Sequence, residues 1–208
     1  MLETKYKLLM SLPEGTPLAE PIRLPRRGRP WKVADLQALA GDENSFELVR
    51  GDLLMMAPAS PVQGRFASRL NAALLVFVEE HDLGEVYTAE PGFLLQPDPE
   101  PTVRAPDVAF LRKDRIPPAN EQEGFWPLAP DLVVEIISPT ETAEMIQEKV
   151  QDYLNAGTQL IWLVYPKLKT VIEYRLAGEI RQMNVEDSLD GGETLPGFHY
   201  PLMDLFRG

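Results

Sequence analysis

The chain has 208 residues, of which 44% are hydrophobic and 25% are charged, and this balance is typical of a globular domain. Its 32 acidic residues outnumber its 20 Lys and Arg residues, and the net charge of −12 argues against a surface built wholly for phosphate contact. The absence of cysteine excludes disulfides and thiolate metal sites. No export signal or membrane span is recognisable, so a cytoplasmic protein is expected.

Residues 1–30 are predicted to form an arm, because repeated prolines interrupt any regular element there. The arm carries the densest basic cluster of the chain, which consists of Arg23, Arg26, Arg27 and Arg29. Such a cluster either contacts nucleic acid or packs on a partner subunit or on the acidic body of the protein, and we favour packing.

Residues 31–208 are predicted to form a single domain that begins with a short helix over 31–40. Residues 45–57 have the pattern of a β-hairpin with its turn at Arg50-Gly51-Asp52. Apolar residues spaced three and four apart predict a long amphipathic helix over 61–81. Short strands are expected on either side of Glu90-Pro91-Gly92, and another strand is expected over 104–111.

The segment 131–137 is predicted to be a buried strand, because it is apolar at nearly every position. Ser138 and Glu141 have the spacing of a capping box, which predicts a helix from there to Ala156. A further apolar strand over 159–165 and a hairpin over 169–185 complete the pattern. This order of elements predicts an α/β or α+β fold with a central mixed sheet flanked by helices.

Glu135 lies in the middle of the predicted buried strand. A charged carboxylate in such a position destabilises the fold by roughly several kcal/mol unless its charge is paired or bound to a cation. Glu135 is therefore neutralised, or reaches solvent at the end of the strand, or acts as a ligand.

Three further residues combine with Glu135 into a candidate site: Asp107 at a strand start, Lys149 on the following helix and Glu47 in the first hairpin. Two carboxylates from adjacent strand ends could hold Mg²⁺, and a neighbouring lysine could stabilise developing negative charge during phosphodiester hydrolysis. Each residue also has a structural interpretation. Asp107 could cap a turn, Glu135 could form an ion pair with Lys149, the Lys149 ammonium could extend into water, and Glu47 could face solvent.

The sequence resembles the Uma2 family of bacterial restriction-endonuclease-like proteins, which is placed in the PD-(D/E)XK nuclease superfamily. The similar segments are FELVRGDLLMMAPAS (46–60), APDVAFL (105–111), PDLVVEIISPT (130–140), EKVQDYLNAG (148–157) and IWLVYP (161–166). The resemblance implies a restriction-endonuclease-like core, a DNA substrate, Mg²⁺ or Mn²⁺ as cofactor and a homodimer.

The resemblance also implies roles for individual residues. Asp107 and Glu135 would be the metal ligands, Lys149 the catalytic lysine, and Glu47 a further ligand or base. Two positions depart from the expected pattern. Ile137 stands where the superfamily has its usual lysine, and Gln63 stands where family members often have histidine.

Three functional hypotheses follow. The chain is a Mg²⁺-dependent endonuclease acting on DNA, or a catalytically weak or silent member of the fold that serves as a binding or assembly module, or a metal-dependent hydrolase of a smaller phosphoester. A nuclease needs cations around the carboxylates of its site. The hypotheses can therefore be separated by the positions of five arginines: Arg65, Arg69, Arg104, Arg112 and Arg115.

Overall fold

A computed structural model describes residues 21–26, 28–42, 44–89 and 92–207. Residues 1–20 and Arg27 of the predicted arm, and the turn residues Glu90 and Pro91, lie outside this description. The helices are α1 (Val33–Gln37), α2 (Pro61–Glu80), α3 (Ala143–Ala156) and α4 (Leu202–Phe206), with short 3₁₀ turns at Lys113–Arg115 and Ala119–Glu121. The strands are β1 (Ile22–Arg23), β2 (Phe46–Val49), β3 (Asp52–Met55), β4 (Gly84–Thr88), β5 (Phe93–Gln96), β6 (Thr102–Arg104), β7 (Val108–Arg112), β8 (Leu132–Ile136), β9 (Leu160–Tyr165), β10 (Thr170–Arg175), β11 (Ile180–Met183), β12 (Ser188–Asp190) and β13 (His199–Pro201).

The described strands form two larger sheets and a small two-stranded sheet. The first sheet is antiparallel throughout and has the order β1-β3-β2-β6-β5. The second sheet is mixed and has the order β11-β10-β9-β8-β7-β4, in which β8 and β9 are parallel and the other pairs are antiparallel. Helix α3 connects the parallel pair, as the crossover in such a unit requires. The predicted fold of a mixed sheet flanked by helices is therefore confirmed.

The mixed sheet is covered on both faces. Alternate residues of β8 point to opposite faces. Leu132, Val134 and Ile136 pack with the apolar stripe of α2, whereas Val133 packs with α3 on the other side. Glu135 follows the same alternation and lies on the α3 face.

The hairpin of β2 and β3 formed as predicted. Arg50 and Gly51 both have positive φ angles, of 47° and 72°, which is the conformation of a tight turn between twisted strands. Glycine is needed at the second position, because a Cβ there would lie 2.7 Å from the Pro30 side chain. The long helix also formed as predicted, with Ser60 and Gln63 as a capping box and Pro61 at its first position.

Three predicted elements differ from the structure. Ile22–Arg23 forms a short strand against β3 within the segment that the prolines were expected to keep irregular. The strand expected over 104–111 is divided, because Arg104 ends β6 in one sheet and Val108 begins β7 in the other. Helix α3 begins only after Thr142, whose side chain accepts a hydrogen bond from the Met145 backbone N–H. None of the helices in the described ranges has the length and apolar character needed to cross a membrane.

Candidate active site

The two larger sheets and the segment before α3 enclose a cleft of about 480 Å³. Glu47, Asp107, Glu135 and Lys149 all line this cleft, so the fold brings together the four residues that the sequence suggested. The chain crosses from one sheet to the other between Arg104 and Val108, and this crossing places Asp107 beside both Glu47 and Glu135.

Glu135 is buried, with 4% of its surface exposed. Its Oε1 accepts a hydrogen bond of 2.8 Å from the Tyr153 hydroxyl, and its Oε2 lies 3.2 Å from Lys149 Nζ. Burial raises the pKa of Glu135 well above its ordinary value; the Lys149 ammonium opposes this rise, and the Asp107 carboxylate adds to it. The contact between Glu135 and Lys149 that was considered for this residue therefore exists, and it lies inside the cleft.

Asp107 lies where β7 and β8 begin to separate. Its Oδ2 accepts a hydrogen bond of 2.7 Å from the Ile136 backbone N–H, so it binds the strand next to Glu135. No partner for its Oδ1 is found in the described part of the chain. Burial raises the pKa of Asp107, while the bond to Ile136 and the charge of Lys149 lower it. One oxygen thus holds the backbone, and the other is available to a ligand in the cleft.

Lys149 is 9% exposed, so the expectation that its ammonium extends into water is wrong. Its Nζ lies between Glu135 and Glu141, at 3.2 and 3.4 Å from their nearest oxygens. Burial alone would lower the pKa of Lys149, but Glu135, Glu47 and Glu141 together raise it above its ordinary value. Lys149 is therefore a fixed cation at neutral pH, suited to stabilising negative charge rather than to accepting a proton.

Glu47 is buried with 2% exposure, and the expectation that it faces solvent is wrong. Alternation along β2 does place it opposite Leu48, but that second face is covered. Its Oε2 accepts a hydrogen bond of 2.8 Å from Arg104, and its Oε1 accepts one of 3.2 Å from the Ala105 N–H. Burial raises the pKa of Glu47, but the charges of Arg104 and Lys149 outweigh it, and the net shift is downward. Glu47 is therefore held as an anion.

Arg104 connects Glu47 to α3. Its guanidinium donates to Asp152 Oδ2 through Nη2 at 2.7 Å and through Nε at 3.1 Å. Arg50 binds the other oxygen of Asp152 at 2.7 Å and also pairs with Glu148. This buried network fixes α3, which carries Lys149, against the sheet that carries Glu47.

Sequence reasoning gave no role in the site to three supporting residues: Glu141, Asp152 and Tyr153. The spacing of four between Lys149 and Tyr153 is a signal that both lie on the same side of the helix. Glu141 does accept a hydrogen bond of 2.7 Å from the Ser138 N–H, as a capping residue would. The segment stays a turn, however, and the other Glu141 oxygen reaches Lys149.

The two departures from the superfamily pattern have structural explanations. Ile137 is buried among apolar residues on the α3 face, and the Lys149 side chain brings an ammonium to Glu135 instead. Gln63 lines the cleft and donates a hydrogen bond of 3.1 Å to the Ile136 carbonyl, while its own oxygen accepts from the Ser60 N–H.

The five arginines that could have surrounded the carboxylates are scattered. Arg104 alone among them contacts a cleft residue, and its charge is taken up by Glu47 and Asp152. The other four are held elsewhere. Arg65 lies over the Phe66 ring, Arg69 binds the Leu205 and Arg207 carbonyls, Arg112 pairs with Asp114, and Arg115 pairs with Asp131.

The arginines described in the arm also pair with acidic residues of the protein body. Arg23 and Arg26 bind Asp52, and Arg29 binds Asp35. These contacts agree with the packing interpretation of the basic cluster.

The donor set of the cleft suits a hard divalent cation. In the described residues, no group of three His, Cys, Asp or Glu side chains already stands in position to hold a metal ion. Asp107 and Glu135 nevertheless offer the carboxylate oxygens that Mg²⁺ prefers, and burial raises the pKa of both. A cation would relieve the repulsion between these carboxylates, whereas an apolar or anionic ligand would not.

Comparison with known proteins agrees with this architecture. The sequence profile of the Uma2 family, described as "Putative restriction endonuclease", matches residues 33–203. A crystal structure of a putative nuclease of the family DUF820 from Anabaena variabilis is 20% identical, with a TM-score of 0.73 over 85% of this chain and 98% of that chain. No curated protein matches the chain. The likeness in structure supports a restriction-endonuclease-like fold, and the profile match over most of the chain shows that the protein belongs to the Uma2 family.

Proposed function

We propose that the protein is a Mg²⁺- or Mn²⁺-dependent endonuclease that hydrolyses DNA phosphodiester bonds in the cleft. The observation that carries this proposal is the convergence of Glu47, Asp107 and Glu135 with a buried Lys149. Family membership agrees with it, because the family description is that of a restriction endonuclease.

Asp107 and Glu135 would hold the divalent ion. When bound, such an ion polarises a phosphoryl oxygen and lowers the pKa of a coordinated water. Asp107 can offer its Oδ1 without giving up its hydrogen bond to Ile136. Glu135 remains oriented by Tyr153 even if its contact with Lys149 lengthens.

Lys149 and Glu47 would act on the reacting groups. Lys149 keeps its charge, so it can bind a phosphate oxygen and stabilise the negative charge that develops there. Glu47 is held as an anion by Arg104, so it can act as a further ligand or accept a proton from the attacking water.

The test is cleavage of supercoiled plasmid DNA with Mg²⁺ or Mn²⁺, with EDTA as the metal-free control. The wild type is expected to convert the plasmid to nicked or linear forms, and Lys149→Met is expected to lose this activity. Lys113→Met is the matched control, because Lys113 is exposed and pairs with Asp82 outside the cleft. Equal cleavage by Lys149→Met and wild type would refute the proposed role of the lysine.

A second candidate is a catalytically silent member of the fold that binds a partner or nucleic acid. The scattered arginines favour it, because Arg65, Arg69, Arg112 and Arg115 do not line the cleft. A gel-shift measurement beside the cleavage assay separates the candidates: binding of DNA without cleavage under any divalent ion supports the silent member.

We also propose a homodimer, since two sites are needed to cut both strands of a duplex. Light scattering should then give twice the chain mass of 23.4 kDa. A monomer at all concentrations would contradict this part of the proposal.

A further inference from the structure

The turn between β9 and β10 lies at the same edge of the mixed sheet as the cleft. Strands β8 and β9 are parallel, with Glu135 opposite Leu163 and Ile136 opposite Val164. The Ile137 N–H donates to the Val164 carbonyl at 2.8 Å, so strands β8 and β9 end at the same edge of the sheet. The next residue, Tyr165, is the last residue of β9, so the turn begins at this edge.

The residues that follow Tyr165 form a short cationic turn. The Lys169 N–H donates to the Pro166 carbonyl, and Lys167, Leu168 and Lys169 are all exposed. The Leu168 side chain between the two lysines is 68% exposed. Lys169 has a φ of 52°, in the left-handed region that a residue other than glycine rarely adopts.

Within the described part of the protein, no carboxylate forms an ion pair with the lysines of this turn. Nearly all described lysines and arginines contact a carboxylate, a carbonyl or an aromatic ring. Across the described ranges, the cations without any such partner are Lys32, Lys167 and Lys169. Lys32 and its neighbours in sequence do not line the cleft, whereas Lys167 and Lys169 follow β9, whose register with β8 puts them at the edge where Glu135 and Ile136 line the cleft.

We propose that this turn, Lys167–Lys169, is the contact of the protein with the phosphate backbone of DNA beside the cleft. The proposal rests on the proposed nuclease function and names where its substrate is held. A polyanion needs such a contact here, because the net charge is −12 and the cleft itself is acidic.

The test measures binding of a short fluorescent DNA duplex by anisotropy across a salt series, with Ca²⁺ in place of Mg²⁺. The variant Lys167→Gln/Lys169→Asn removes both charges, and asparagine tolerates the left-handed conformation at the second position. Two lost phosphate contacts should reduce the slope of log affinity against log salt by about 1.8, which weakens binding roughly 30-fold at about 0.15 M salt. Lys167→Arg/Lys169→Arg should restore the slope, and Lys32→Gln should leave it unchanged.

The outcomes distinguish this inference from the proposed function. If the wild type cleaves DNA and the charge-removing variant keeps the full slope, the turn is not the contact and the nuclease proposal stands. If the wild type binds through the turn but never cleaves with Mg²⁺ or Mn²⁺, the inference stands and the silent binding module replaces the nuclease. If the wild type neither binds nor cleaves DNA, both proposals are refuted.

Discussion

Replacing Arg104 with methionine should expose how strongly the site depends on its buried ion network. The Arg104 side chain is 4% exposed and makes three hydrogen bonds, one to Glu47 and two to Asp152. Methionine fills similar space but leaves Glu47 buried without its cation, whereas Asp152 keeps Arg50. Removing one partner of a buried pair costs about 3–5 kcal/mol, and solvent screening is small here.

The assay is urea unfolding at neutral pH, in parallel with Mn²⁺ affinity measured by calorimetry. Arg104→Met should lose about 3–5 kcal/mol of unfolding free energy, and the folded fraction should bind Mn²⁺ more weakly. The matched control is Arg112→Met, because Arg112 pairs with Asp114 at the surface and should show no measurable loss. A loss below about 1 kcal/mol for Arg104→Met would refute the view that this network holds Glu47 and α3 together.

The remaining predictions concern single contacts of the cleft. Tyr153→Phe removes the hydrogen bond to Glu135 and should cost about 1–3 kcal/mol in urea unfolding; an unchanged midpoint would show that the bond contributes nothing. Burial raises the pKa of Glu135 to about 8 from an ordinary 4.5. Between these two pH values, Glu135 keeps its proton in the folded state and has lost it in the unfolded chain. The free energy of unfolding should therefore fall as the pH rises through this window, by about 1.4 kcal/mol per unit of pKa shift, and Glu135→Gln should remove that fall. Equal pH profiles for the two proteins would contradict the raised pKa. Gln63→Ala removes the two side-chain bonds of Gln63, to the Ser60 N–H and to the Ile136 carbonyl, and should cost about 1 kcal/mol, whereas an unchanged stability would show that Ser60 caps the helix alone.

Local patterns in the sequence predicted the elements whose signals lie within a few residues. Gly51 marked the first hairpin, and Ser60 with Pro61 marked the start of the long helix. The same kind of signal failed at α3, where Ser138 and Thr142 are both acceptable caps. Thr142 begins the helix, and Ser138 with Glu141 forms a turn whose carboxylate also contacts Lys149.

The environment of the site depends on contacts that no local pattern reveals. Arg104 meets Glu47 across 57 residues of sequence and Asp152 across 48. Glu47 alternates as a half-exposed strand residue would, yet it is buried, and its two oxygens bind the Arg104 guanidinium and the Ala105 N–H. The division of the strand at Pro106 has the same origin, because only the three-dimensional structure shows that the chain changes sheets there.

Calorimetric titration with Mg²⁺ and Mn²⁺ tests the central claim most directly, with wild type compared with Asp107→Asn and Glu135→Gln. Asp114→Asn is the matched control, since Asp114 is exposed and pairs with Arg112 away from the cleft. The account predicts that wild type and Asp114→Asn bind the ion, and that each cleft substitution abolishes or strongly weakens binding. If the wild type binds neither ion at about millimolar concentration, the cleft carboxylates are structural and the proposed metal-dependent nuclease is contradicted.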